Sequence, residues 1–365
     1  MNLAPIVLTA PALAIAIFSS SAGYLLDKAG RRTCFLAAMF IYALLGTAPL
    51  WIENPYLIVA SRFGLGMTEA VILAATMTLA GDYFSGPVRD RWIAYMMAVA
   101  AFSATLFYIS GGILGGISWK APFAAYGISF FIFLAAIPLI FEPQSTRHAT
   151  MTSAAGRGDT STPSTSLAII AVFAATFVGS ILFYIVPLQL GGFLAARGID
   201  NSATIGLLIA VAGLGNPLGS YSFGYLRKFP FALLLGGSAT VSGLGLLLAT
   251  ASHDVSILVI GAFINQLGCG MLCPLTMATV LRLAPAHRRG INSGGWSTAF
   301  FVGQFFSPLV VLPLTSLESE GDGLSTLAAT NILFGLLSYI LFSRMGATAL
   351  NPEPEKEGLA AAARI

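Results

Sequence analysis

The chain has 365 residues, of which 56% are hydrophobic and 9% charged, with a mean hydropathy of +0.84. A soluble domain carries about 25% charged residues, so this composition cannot build a water-facing surface, and length is no guide to domain number once the solvent is lipid. The net charge of +3, without a dense cationic cluster, excludes a nucleic-acid-binding face.

Crossing the hydrocarbon layer takes about 20 apolar residues in helical form. Eleven such runs lie near 3–26, 33–52, 56–82, 91–116, 121–141, 166–190, 203–225, 231–251, 255–281, 292–314 and 324–345. Many contain Gly or Pro, which membrane helices tolerate because neighbouring helices satisfy the freed backbone groups. The first run has no cationic segment ahead of it and is a span rather than a signal peptide. It ends in Gly23-Tyr-Leu and a turn holding Asp27, Lys28, Gly30, Arg31 and Arg32.

The third run carries Arg62 and Glu69 and ends at Asp82. A charge at mid-helix costs about 2.5–3.5 kcal/mol on insertion scales, so two in one span call for a reason. Seven residues at 100° each return to within about 20° of the same direction, which puts both on one face. They lie about 10 Å apart in rise, too far for a tight pair. Glu69 is a candidate proton or cation site, expected to face a cavity, with Arg62 tuning it; the blander reading is a contact to a neighbouring helix. The fourth run ends with Gly111, Gly112, Gly115 and Gly116, placed for close helix packing.

Residues 143–165 are polar and rich in Ser and Thr, a linker too short to be a domain. The expected organisation is a bundle of five spans over 1–142, this linker, a bundle of six spans over 166–345, and a solvated tail over 346–365. In the second bundle Tyr184, Gln189, Asn216, Asn265, Gln266 and Gln304 are polar groups within spans. Interhelical hydrogen bonds are their default role, and Tyr184, Gln189, Asn216, Asn265 and Gln304 are also candidates to line a solute path. The three histidines fall in loops, so no buried histidine relay is expected. Cys34, Cys269 and Cys273 read as packing residues, because no His or carboxylate lies nearby to complete a metal site.

Cations set the orientation. With the loop of Lys28, Arg31 and Arg32 cytoplasmic, fifteen cations fall in cytoplasmic loops and tail and only Lys120 and Arg197 on the other side. The C-terminus is then cytoplasmic. The two bundles also look duplicated: Gly23-Tyr-Leu recurs at Gly224-Tyr-Leu, and Arg89 and Arg91 have counterparts in Arg288 and Arg289, each offset by about 200 residues.

The string Gly23-Tyr-Leu-Leu-Asp27-Lys-Ala-Gly30-Arg31-Arg32 resembles the hallmark loop between the second and third helices of the major facilitator superfamily. Arg62, Gly64 and Gly66 resemble the Arg and spaced glycines of the fourth family helix. Gly111-Gly112-Ile-Leu-Gly115-Gly116 and Trp119-Lys-Ala-Pro-Phe123 resemble the fifth helix and following stretch of the drug:proton antiporter branch, without the Pro usual in that helix. The resemblance implies an all-α, two-bundle transporter. It implies a charge relay of Asp27, Arg31 and Asp82 with Gly23, Gly30 and Arg32 shaping the turn, engaging a helix N-terminus near Asn292 and Ser293. It aligns the run at 3–26 with the family's second helix, leaving the first without a counterpart, as in a start placed too late or a shortened relative.

The expected function is proton-coupled efflux of small organic compounds by alternating access, in an inner or plasma membrane. The implied partners are a small organic solute, protons and the bilayer. The expected assembly is a monomer, with no cofactor and the proton gradient as energy source. The alternatives are an uptake symporter or facilitator, a non-transporting sensor or scaffold, and an inactive truncated relative. No HExxH, GxSxG, GxGxxG or P-loop string is present to indicate an enzyme.

Overall fold

The computed structural model describes residues 4–84, 86–142, 163–251, 253–284, 288–317 and 320–345. The linker, save its last three residues, and the tail lie outside them. The architecture is all-α. In the first half the helices are α1 (Ala4–Ala29), α2 (Arg31–Thr47), α3 (Pro55–Tyr83), α4 (Gly86–Ile117) and α5 (Ile128–Leu139), with short 3-10 segments at Ala48–Leu50 and Ala121–Gly127. In the second they are α6 (Pro163–Phe183), α7 (Ile185–Ala196), α8 (Ser202–Gly213), α9 (Gly215–Leu226), α10 (Phe231–Thr250), α11 (Val255–Gly270), α12 (Leu272–Leu283), α13 (Arg289–Leu317) and α14 (Glu320–Arg344).

All eleven apolar runs fall on helix, but the spans do not number eleven by length and composition. Among the described residues nine helical segments are long and apolar enough to cross a bilayer, and the bent pair Ile6–Ser19 and Ser21–Ala29 makes ten. The remaining run is in α4, where Arg89, Asp90 and Arg91 occupy the first turns and the apolar stretch is the shorter Phe102–Ile117. Large apolar side chains point outward, with Phe131 71% and Ile170 61% exposed, as a lipid-facing surface requires.

Three expected single helices of the second half are broken instead: at Tyr184 (α6/α7), at Leu214 (α8/α9) and at Met271 (α11/α12). Each break is followed three residues later by a proline, Pro187, Pro217 or Pro274. A proline has no N–H for the carbonyl four residues back, so Phe183, Gly213 and Gly270 lose their acceptor role in the ladder. Neighbouring helices replace two of these bonds. Gln266 Nε2 donates to Phe183 O at 3.4 Å and Ser220 Oγ donates to Gly270 O at 2.6 Å.

Helix starts differ between the two ends of the molecule. On the side opposite the basic turns, Asn54, Asn201 and Asp254 cap α3, α8 and α11 with their own side chains. The halves meet along two seams, α1 against α13 and α4 against α8. By the 200-residue offset α8–α9 is the counterpart of α1, and α13 that of α4, so each seam joins one helix to the counterpart of the other.

Candidate functional site

At the basic turn, Gly30 adopts φ +88°, a conformation open to Gly and strained for other residues, and this lets α1 end and α2 begin within one residue. Arg31 forms an ion pair with Asp82 at the end of α3. The Asp27 carboxylate has no such partner among the described residues. Asn292 is used locally, donating to Arg288 O at 3.0 Å. Gly23 has open space where a Cβ would sit, so no close approach requires it.

The turn is completed by Glu142, which the sequence reading passed over. Its carboxylate accepts the backbone N–H of Arg31 at 2.7 Å and of Arg32 at 2.9 Å, capping α2 from 110 residues away. Arg32 returns the bond, donating through Nε to Ile140 O at 2.7 Å and through Nη2 to Ile137 O at 2.9 Å, beyond and within the last turn of α5. Tyr83 adds a third strand to the clasp, its hydroxyl donating to Phe141 O at 2.6 Å and its ring stacked 4.4 Å from that of Phe141. The only hint in the sequence is a lone carboxylate directly after an apolar run.

Inside the first half, Arg62 and Glu69 part company. Arg62 is 3% exposed; its Nη2 donates to the carbonyls of Leu45 and Gly46, where α2 is ending. Its guanidinium lies 5.2 Å from the ring centres of both Phe123 and Tyr126. No ion pair joins Arg62 to Glu69 among the described residues: Arg62 Nη2 is directed to the end of α2 and the guanidinium stands over two rings of the 3-10 segment, while its Nη1 is buried without a hydrogen-bond partner. Glu69 is partly buried and lies within electrostatic reach of Tyr42 and Tyr126, both of which Arg62 also reaches, and of Tyr184 of the other half. The Tyr42 and Tyr126 rings are 5.6 Å apart.

In the second half a group of rings surrounds Tyr184. Tyr184 sits at the α6/α7 break, 4.9 Å from Phe183 and 5.9 Å from Phe300. Phe300 stacks on Trp296 at 5.4 Å and 10°, and Trp296 Nε1 is held by Thr276 Oγ1 at 2.9 Å. Tyr184 is also within electrostatic reach of Tyr108 on α4 and of Cys273.

The other candidates divide. Asn265 is fully buried and donates to Ser242 O at 3.1 Å and Ser242 Oγ at 2.7 Å, tying α11 to α10 as a structural contact. Asn216 lies at the start of α9, where its backbone presses on Gly270. Gln189 and Gln304 are partly buried on α7 and α13. Of the four glycines on α4, Gly112 is at a close crossing: a Cβ there would stand 2.7 Å from Gly206 Cα on α8. Gly115 and Gly116 would barely touch Ser202, and an added Cβ at Gly111, a step of 100° round the helix from Gly112, would meet nothing within 4 Å among the described residues.

A sequence model of the Major Facilitator Superfamily matches residues 2–308. The tetracycline resistance protein, class G, of Vibrio anguillarum is 27% identical over 321 residues, 82% of this chain and 77% of that protein. The class C protein of Escherichia coli is 34% identical over 111 residues, and an uncharacterized MFS-type transporter of Mycobacterium tuberculosis 30% over 105. These two matches span 26% and 17% of those proteins and 29% of this chain in each case. Among solved structures, a D-xylose-proton symporter superposes with TM-score 0.72 at 14% identity, covering 98% of this chain and 88% of that one. A peptide transporter in complex with sulfate gives TM-score 0.72 at 15% identity, covering 94% and 86%.

Proposed function

Because this chain belongs to the major facilitator superfamily of transporters, we propose that it exports small organic compounds in exchange for protons, with Glu69 as the proton-binding group. The reading places it in a plasma membrane with its C-terminus cytoplasmic, as two bundles, 1–142 and 166–345, that rock about the Glu69–Tyr184 region. One observation carries it: a partly buried carboxylate in the middle of a span, with no ion-pair partner among the described residues. An intramembrane carboxyl of this kind is a functional group by default, because a purely structural one would be expected to have a partner. The similarity to two tetracycline resistance proteins supports export over uptake.

Inside-out vesicles test it. With an acidic lumen, an exchanger accumulates solute, read with radiolabelled tetracycline and a panel of fluorescent dyes. Glu69→Gln abolishes gradient-driven accumulation and leaves solute–solute exchange in place. Accumulation that instead requires an alkaline lumen means symport, and a Glu69→Gln variant with undiminished gradient-driven flux removes Glu69 from the mechanism.

A further inference from the structure

We infer that the groove between α1 and α2 is a phospholipid site, taking one acyl chain from the leaflet on the side of the basic turn. The inference depends neither on Glu69 nor on the direction of transport.

Both helices pack on α3 but scarcely on one another. Ser21, Ala22 and Ala29 on α1 and Thr33, Ala37 and Ala38 on α2 line the gap, with Met67 of α3 in its floor. Small side chains usually let membrane helices close up. Here the helices stand apart, and a cavity of about 600 Å3 remains between them.

Three features name the occupant. The lining presents almost no polar surface, so water finds no partner there, and an empty gap would forfeit the contacts of its walls. Hydrocarbon fills it without either cost. The length fits as well. On α2 the lining runs from Thr33 to Ile41, a rise of about 12 Å, most of the roughly 15 Å that half of a bilayer's hydrocarbon core measures. It starts beside the basic turn and ends at Phe18 and Ile41. The groove is also continuous with the lipid-facing surface, because Tyr24, Leu25, Ile41 and Met67 of its lining are exposed.

At the shallow end, Lys28 is exposed and makes no ion pair among the described residues. Its long stem can carry the ammonium to the phosphate that every glycerophospholipid bears. The other charges of the turn are engaged, Arg31 with Asp82, and Arg32 and Glu142 in the clasp with α5, while exposed Asp27 balances Lys28. The turn therefore accepts a phosphate without favouring an anionic headgroup, and the chain is what the site selects. Cys34 belongs both to the lining and to the buried cluster with Leu26 and Ala75, so a bound chain extends the packing of the first half.

The purified full chain in phosphatidylcholine nanodiscs, doped with a phosphatidylcholine bearing a diazirine at the end of one acyl chain, tests this. After irradiation and digestion, adducts should concentrate on Phe18, Ile41 and Met67, several-fold above lipid-facing positions elsewhere such as Leu333 on α14. Ala37→Trp fills the groove from an exposed position of α2 and should bring that yield down to background. Ala37→Leu should lower it in part, and Leu333→Trp should leave it unchanged. Unlabelled phosphatidylglycerol and phosphatidylethanolamine should compete equally well. Adducts spread evenly over the lipid-facing helices would overturn the proposal, and this wild-type map decides even if Ala37→Trp fails to fold. An undiminished yield in a monodisperse Ala37→Trp preparation would overturn it too. Displacement of the adducts by tetracycline would give the groove to a solute, and disulfide-linked dimers of Ala37→Cys in place of lipid adducts would give it to a second copy. A marked preference for one headgroup would overturn the assignment to the chain.

Discussion

The two halves of the molecule are held by different means. In the second half, buried apolar side chains form two extended clusters, one around Val172, Leu235, Leu275 and Val280, the other around Ile185, Leu190, Leu246, Leu258 and Leu327. In the first half the corresponding cluster of buried residues joins Leu26, Cys34 and Ala75. What ties its helices is charge meeting backbone: Arg62 on α2, Arg32 on the end of α5, Glu142 on the start of α2, and the Arg31–Asp82 pair. In the second half most of the tying groups are neutral amides and hydroxyls, such as Asn265, Ser242 and Asn331, bonded to one another or to backbone, with one charged tie, Arg197 Nη2 donating to Ala249 O at 3.3 Å. The contrast teaches that a membrane bundle can be held by packing where it acts as a frame, and by ionic and charge–backbone bonds where it carries the charged chemistry.

Three substitutions probe that contrast. The largest effect is expected from Arg62→Ala. Two carbonyls lose a charged donor and two rings lose their cation, a cost on the order of 3 kcal/mol. The thermal midpoint in detergent, followed by size-exclusion chromatography, should fall steeply, and Arg62→Lys should recover part of it. An unchanged midpoint for Arg62→Ala would erase the distinction drawn above. Next is Gly206→Val, at the crossing where Gly112 and Gly206 bring α4 and α8 together. Overpacking there should cost about 2 kcal/mol and slow transport more than it lowers the midpoint, since the seam lies between the halves. Equal effects on both readouts would place the seam within the rigid frame. The smallest is Asn265→Leu, which removes the two interhelical bonds to Ser242, together worth about 1 kcal/mol, and should leave transport intact. A transport loss from this variant would return Asn265 to the solute path.

Much of this was legible from residue types alone. The eleven apolar runs, the basic turn and the two intramembrane charges are local patterns, and lipid enforces them strongly. The broken helices were not read, although Pro187, Pro217 and Pro274 were visible. A proline in a membrane helix can kink it or interrupt it, and which occurs depends on whether a neighbour such as Gln266 or Ser220 reaches the freed carbonyl. Glu142 was missed for a related reason, because its partners are backbone amides 110 residues earlier. Arg62 and Glu69 were placed on one helical face and share Tyr126 as a neighbour, yet Arg62 bonds to the end of α2 and not to Glu69. Two turns of separation, together with the carbonyls at the end of α2, outweigh a shared direction.

The Glu142 cap grips main-chain N–H groups, not side chains. Replacing the arginines at 31 and 32 would therefore spare that contact, since every amino acid except proline presents the same amide. Its weak points are position 142 itself and Gly30, where an added methyl would stand 3.1 Å from the carboxylate oxygen. Two residues more than a hundred positions apart are thus under one steric constraint, and a viable change at the first should require a compensating change at the second.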